Sequence, residues 1–192
     1  MRLPFRSRVF CTVMAVTLPI SILGTAGRAS AQSVAEPNSW TVSPFLGGTM
    51  GLDAPGGGNS LAIGVGVGYD MTSNVGFEGE LGHLFDIMGD NDAVDWSVTN
   101  FSGNFVYHFD VKRVTPYATF GIGFEHSGLD GDGVSALGLT SSTEVSFNFG
   151  GGVKYPLTPK LLLRGDLRRF EANDLAPDYW RAYAGLTFRL GR

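Results

Sequence analysis

An all-β fold, an eight-stranded antiparallel up-and-down transmembrane β-barrel, is predicted by three observations. Bulky apolar residues recur at every second position through most of the chain after residue 39, the spacing that puts alternate side chains on opposite faces of a strand. Eight such segments can be counted, each about as long as a tilted strand needs to cross a bilayer, and no helical stripe of useful length appears. Tight and long connections alternate between them, as in a meander whose two ends face different compartments.

Composition narrows the field before any motif is read. A chain of 192 residues with 14 Lys+Arg, 18 Asp+Glu and one Cys suits one compact domain, which excludes a disulfide scaffold and a multidomain enzyme. The 28 glycines argue against a helical bundle, and 43% hydrophobic against 17% charged residues is too apolar for disorder. A formal charge of -4 leaves no basic stripe for phosphate backbones, so no nucleic-acid partner is expected.

Residues 1–31 read as a secretory signal peptide. Arg2, Arg6 and Arg8 precede an uncharged run from Val9 to Ala26, and Ala29-Ser30-Ala31 follows as a small-x-small cleavage site. Pro19 inside the run, the basic flank and that exit argue against a transmembrane helix. Cleavage before Gln32 would remove Cys11 and four arginines, leaving an acidic, cysteine-free chain suited to a bacterial envelope. Residues 32–39 are then a short linker and 40–192 the barrel.

The first strand, near 40–50, carries Trp40, Val42, Leu46 and Met50 at one parity. In the second, 60–70, Leu61, Ile63, Val65, Val67 and Tyr69 oppose Ala62, Gly64, Gly66 and Gly68, so one face is bulky and the other almost bare. The third, 75–85, sets Val75, Phe77, Leu81 and Phe85 against Glu78 and Glu80. The fourth, 96–109, offers Phe101, Phe105, Tyr107 and Phe109 against Asn104 and His108. Trp96 and Val98 fall on its polar parity, which predicts a bulge near Thr99 or Asn100 that returns them to the bulky face.

The fifth, 114–125, opposes Ala118, Phe120, Ile122 and Phe124 to Tyr117 and Glu125. The sixth, 143–155, opposes Val145, Phe147, Phe149, Val153 and Tyr155 to Glu144, Ser146, Asn148 and Lys154. The seventh, 161–170, sets Leu161, Leu163 and Leu167 against Arg164, Asp166 and Arg168. In the eighth, 179–190, Trp180, Ala182, Ala184, Leu186, Phe188 and Leu190 face away from Arg181, Thr187 and Arg189. Tight turns fall at 70–74, 110–113 and 156–160, and long connections near 51–59, 86–95, 126–142 and 171–178. First and last strands can pair, which leaves no open edge.

Alternation alone does not say which face is outside, since a soluble ligand-binding barrel would turn its aromatic face inward. An eight-stranded interior is just wide enough for side chains, so the face rich in Gly, Ser and Asn fits inside better than stacked Phe, Trp and Tyr. Only Lys112, Lys154 and Lys160 follow the signal segment, far fewer lysines than a water-exposed polar face carries. The bulky face is therefore expected to meet outer-membrane lipid, with Trp40, Tyr69, Trp96, Tyr107, Tyr155 and Trp180 as girdle candidates. His83 and Arg169 interrupt that face near its long-connection end.

The enclosed face is expected to hold a balanced charge network: Glu78, Glu80, Glu125, Glu144 and Asp166 against Lys154, Arg164, Arg168, Arg181 and Arg189. The long connections are acidic, with Asp53, Asp86, Asp90, Asp92, Asp95, Asp130, Asp132, Glu171, Asp174 and Asp178 and no Lys or Arg in those windows. Such a rim is the place for a surface ligand, and beside phosphorylated glycolipid it implies weak bridging Ca2+ or Mg2+ rather than a resident cofactor.

The signal segment, the eight strands, the opening Val114-Thr115-Pro116-Tyr117 and the glycine-alternating Ile63-Gly64-Val65-Gly66-Val67-Gly68-Tyr69 resemble the small outer-membrane β-barrel family related to the OmpA transmembrane domain. The ending Tyr183-Ala184-Gly185-Leu186-Thr187-Phe188-Arg189-Leu190 resembles the terminal signal read by the outer-membrane assembly machinery. Tyr183, Gly185, Phe188 and Leu190 lie on its pattern, while Gly191 and Arg192 run past its usual aromatic end. The resemblance implies a monomer in the bacterial outer membrane. The peptidoglycan anchoring of full-length OmpA proteins belongs to a separate domain and is not expected of the barrel.

Four chemical motifs have plainer readings. Gly64, Gly66 and Gly68 have period two within a strand and no following helix, which suits lumen packing rather than a nucleotide loop. His126, Ser127 and Glu144 evoke the His, Ser and Glu of outer-membrane lipid A deacylases, but adjacent strand residues point to opposite faces, so no hydrolase is expected. His83 and His108 do not make a zinc site. Glu78 and Glu80 resemble a two-carboxylate glycosidase pair, yet facing arginines they read as paired lumen charges.

Overall fold

The computed structural model describes residues 35–51, 59–85, 95–111, 113–130, 141–172 and 178–191. Its strands are β1 (Ser39–Met50), β2 (Leu61–Asp70), β3 (Val75–Phe85), β4 (Asp95–His108), β5 (Thr115–Asp130), β6 (Ser142–Thr158), β7 (Leu161–Ala172) and β8 (Tyr179–Gly191). Each pairs antiparallel with the next, and β1 also pairs with β8, closing an eight-stranded barrel. Closure satisfies every strand edge, the condition for crossing lipid with strands.

The period-two pattern sets the walls. Phe120 is 57% and Phe147 43% exposed, whereas Arg164 is 2% exposed. Bulky residues thus form the outer shell and long charged ones fill the centre, the reverse of a soluble ligand-binding barrel. The outer aromatics meet across strands: Trp40 lies 5.0 Å from Tyr69, and Phe77 stands edge-on to Phe105 at 5.8 Å between centroids.

One glycine shows how the interior fits. A Cβ on Gly64 would overlap the Phe45 ring and the Leu81 carbonyl oxygen, so the bare face of β2 is the space into which an aromatic of β1 inserts.

Two expectations are corrected. The register runs unbroken from Val75 opposite Tyr107 to Leu84 opposite Val98, and from Asp95 opposite Asp130 to His108 opposite Tyr117, so β4 has no bulge at Thr99 or Asn100. Val98 is fully buried and points inward, and Trp96 packs with it rather than joining an aromatic girdle. With Ala62, Leu84, Phe170 and Tyr179 they make an apolar layer inside the barrel toward the long connections. Desolvated apolar side chains there satisfy parity without bending the strand. Register shifts do occur between Trp40 and Thr41 and between Pro156 and Thr158, both at the tight-turn end.

β5 and β6 also run beyond the expected ends. Ser127 pairs with Ser142 and His126 with Thr143, so the ladder continues where apolar alternation has given way to Ser, Thr and Gly.

Candidate functional site

The functional candidate is the lumen, because the same parity of β3, β7 and β8 aims charged side chains at one another across it. β3 supplies Glu78 and Glu80, β7 supplies Arg164, Asp166 and Arg168, and β8 supplies Arg181. Arg164 clasps Glu78 with both terminal nitrogens, Nη2 donating to Oε1 at 2.9 Å, and Nη2 also reaches Asp166 Oδ2 at 3.2 Å. Arg168 donates Nη2 to Glu78 Oε1 at 3.0 Å and Nε to Asp166 Oδ1 at 3.0 Å, and its Nη1 lies 3.1 Å from Glu80 Oε2. Arg181 donates to Glu80 Oε1 and to Asn100 Oδ1. Three carboxylates and three guanidiniums therefore neutralise one another with almost no solvent contact.

Aromatic rings complete the shells of these cations. The Arg181 guanidinium sits 4.5 Å from the Phe170 centroid and 4.9 Å from that of Phe45. Tyr183 stacks on Phe45 at 4.2 Å and donates its hydroxyl to Asp166 Oδ2 at 3.0 Å. Tyr117 accepts from Arg164 Nε at 2.7 Å and donates to Asp166. In a desolvated space, cation–π contact and charge-assisted hydrogen bonds replace the lost hydration.

The remaining expected members lie apart from this cluster. Glu125, fully buried, accepts from the Tyr179 hydroxyl at 3.1 Å and makes no salt bridge among the described residues. Glu144 is half-buried opposite Glu125 and accepts from Ser142. Lys154 donates to His108 Nε2 at 3.0 Å, with Asp70 3.9 Å from the other ring nitrogen. Arg189 pairs with Glu36 at 2.9 Å and donates to the Pro159 carbonyl. Of the five acids and five bases expected on the enclosed face, six form this central set and the other four lie beyond it along the barrel. Asp70 and Glu36, read from sequence as turn and linker residues, meet His108 and Arg189 at the tight-turn end of the lumen.

Phe45, Phe170, Tyr179 and Tyr183 are lumen residues that size-based reading missed. Their parity was the available signal. For the terminal pattern, Tyr183 and Gly185 face inward, while Phe188 and Leu190 are 42% and 65% exposed on the outer wall.

The catalytic motif is separated by the wall itself. His126 is exposed and bonds Thr143 Oγ1 at 2.8 Å, whereas Ser127 is buried on the opposite face. His83 lies on the outer wall and His108 within the lumen. Among the described residues, no group of three or more His, Cys, Asp or Glu could hold a metal ion. Of the acidic rim, Asp53, Asp86, Asp90, Asp92, Asp132 and Asp174 lie outside the described residues. Glu171 and Asp178 are neutralised by Arg169, at 3.7 and 2.9 Å, a base that lies just before the window.

The barrel shares its fold with solved outer-membrane structures. Neisserial surface protein A (NspA) aligns with a TM-score of 0.62 at 15% identity, covering 78% of this chain and 96% of that one. The N-terminal β-barrel domain of Pseudomonas aeruginosa OprF gives 0.58 at 20% identity, over 80% and 98%. Ail, the attachment invasion locus protein of Yersinia pestis, gives 0.57 at 13% identity, over 81% and 100%. At these identities the likeness is one of fold. No curated protein sequence matches the chain. The model of the outer membrane protein β-barrel domain matches residues 20–188, nearly the whole of the strands described above. The chain belongs to the outer membrane protein β-barrel domain family.

Proposed function

We propose that this chain is a monomeric outer-membrane barrel with a plugged lumen and a structural or surface-interaction role, exported by a signal peptide cleaved before Gln32. The observation that carries the reading is the cluster of Glu78, Glu80, Asp166, Arg164, Arg168 and Arg181, whose groups spend their valences on one another across the barrel. Separating any pair to admit a hydrated solute would strand a buried charge at about 3–5 kcal/mol, which opposes wide-pore transport. The apolar layer of Leu84, Val98, Phe170 and Tyr179 supports the same conclusion at the other end.

Function then resides in the outer wall and the long connections. Ail has been crystallised with the heparin analogue sucrose octasulfate, a polyanion. The long connections here carry acids and no Lys or Arg, which favours a cationic surface ligand or bridging divalent ions instead. No catalytic role is assigned, because His126 and Ser127 lie on opposite faces. Single-channel recording of the refolded barrel in planar bilayers tests the plug: no steady conductance is expected, and a large steady conductance would refute it.

A further inference from the structure

On the outer wall, toward the long connections, the apolar surface of β4 to β6 ends at a cross-strand row that joins Leu81 of β3 to Phe101, Phe124 and Val145, all exposed, while on β3 Phe85 and its β2 partner Leu61 carry it past His83. The next row from the same four strands is polar. His83 pairs with Thr99, Thr99 with His126, and His126 with Thr143, in continuous register. His83 Nδ1 lies 2.9 Å from Thr99 Oγ1, and His126 Nδ1 lies 2.8 Å from Thr143 Oγ1. His83 is also held edge-on to Phe85 at 4.5 Å between centroids. Both imidazoles thus use the same nitrogen on the same kind of neighbour, and neither Nε2 has a hydrogen bond among the described residues.

We propose that His83 and His126 bind phosphate groups of the surrounding lipid headgroups through Nε2. A polar row directly bordering a lipid-facing apolar band lies at headgroup depth. With the threonine hydroxyl as the donor to Nδ1, one of the two senses these contacts allow, the ring proton sits on Nε2. In this row the outward positions of β3 to β6 are His83, Thr99, His126 and Thr143, and the acidic positions on the same face of β4 and β5, Asp95 and Asp130, pair with one another two rows farther toward the long connections. Hydrogen bonds to ionised acceptors are shorter and stronger than neutral ones, which makes phosphate the favoured partner over ester carbonyls at the same depth. The two rings stand two strands apart, about 10 Å, so they address two phosphate groups rather than one. Continuity with the lipid-facing shell is what selects a lipid over a protein partner.

The inference rests on the membrane-embedded reading of the outer wall, and the experiment separates the two. The full barrel, carrying nitrogen-labelled histidine, is reconstituted in phosphatidylethanolamine and phosphatidylglycerol vesicles, and nitrogen–phosphorus dipolar coupling is measured by solid-state NMR. Coupling is expected at Nε2 of His83 and His126 and not of His108, which is 1% exposed inside the lumen. His83→Gln and His126→Gln assign the signals, and each is expected to weaken phosphatidylglycerol retention in native mass spectrometry about fivefold. A correctly inserted barrel without that coupling, or with retention unchanged in both variants, overturns the inference. A barrel that fails to insert, seen as unchanged gel mobility on boiling, overturns the membrane reading itself.

Discussion

Replacing Arg164 by alanine tests the lumen most sharply. Arg164 is 2% exposed and makes both hydrogen bonds that Glu78 receives from one guanidinium fork. After its removal Glu78 Oε1 keeps Arg168 Nη2 at 3.0 Å, while Oε2 loses the one hydrogen-bond donor it has among the described residues. Tyr117 loses the donor at 2.7 Å, and Asp166 falls back on Arg168 and the tyrosine hydroxyls. Stranding a buried charge costs about 3–5 kcal/mol, and because Arg168 still shields Glu78 the lower end, about 3 kcal/mol, is expected. The exposed turn residue Asp110 provides the comparison: Asp110→Ala should change stability by less than about 0.5 kcal/mol. Removing both partners, Arg164→Met with Glu78→Met, should recover most of the loss, since the interior is again neutral and filled. Reversible urea unfolding in lipid vesicles, followed by tryptophan fluorescence, gives all of these values. Equal midpoints for Arg164→Ala and Asp110→Ala would refute the reasoning.

The other expectations follow from the walls and the leader. Phe120→Arg places a charge on the lipid face and should cost about 2–4 kcal/mol if that position lies near the bilayer midplane, measured in the same unfolding assay. Gly64→Leu has no space beside the Phe45 ring and should abolish the folded, heat-modifiable band in detergent gels, whereas Gly103→Ala, whose Cβ would meet nothing within 4 Å, should keep it. N-terminal sequencing of the protein recovered from membranes should begin at Gln32; a start at Met1 would contradict the leader.

The eight strands and their faces were legible because parity needs only near neighbours in sequence. Phe77, Phe105 and Phe120 announce the lipid side by size alone, and Arg164, Asp166 and Arg168 announce the lumen by charge. Where size and parity disagreed, parity was the better guide: Trp96, Val98 and Phe45 are large and apolar, yet they occupy the interior because the ladder carries no compensating bulge there. Pairing within the lumen was not legible. Which acid meets Arg181 depends on how far strands stagger round the closed barrel, and that brings Glu80 to it while leaving Glu125 to Tyr179. The ends of β5 and β6 escaped for another reason: Ser127, Gly128 and Ser142 carry no apolar signal, although their backbone ladder continues.

The central claim is that the aromatic face touches hydrocarbon. Quenching by bromine-labelled acyl chains tests it in Phe120→Trp, made with the native tryptophans replaced by phenylalanine and reconstituted in vesicles. Strong quenching by the brominated lipid, with little by aqueous iodide, is the predicted result. Efficient iodide quenching with none from the brominated chains would contradict the account.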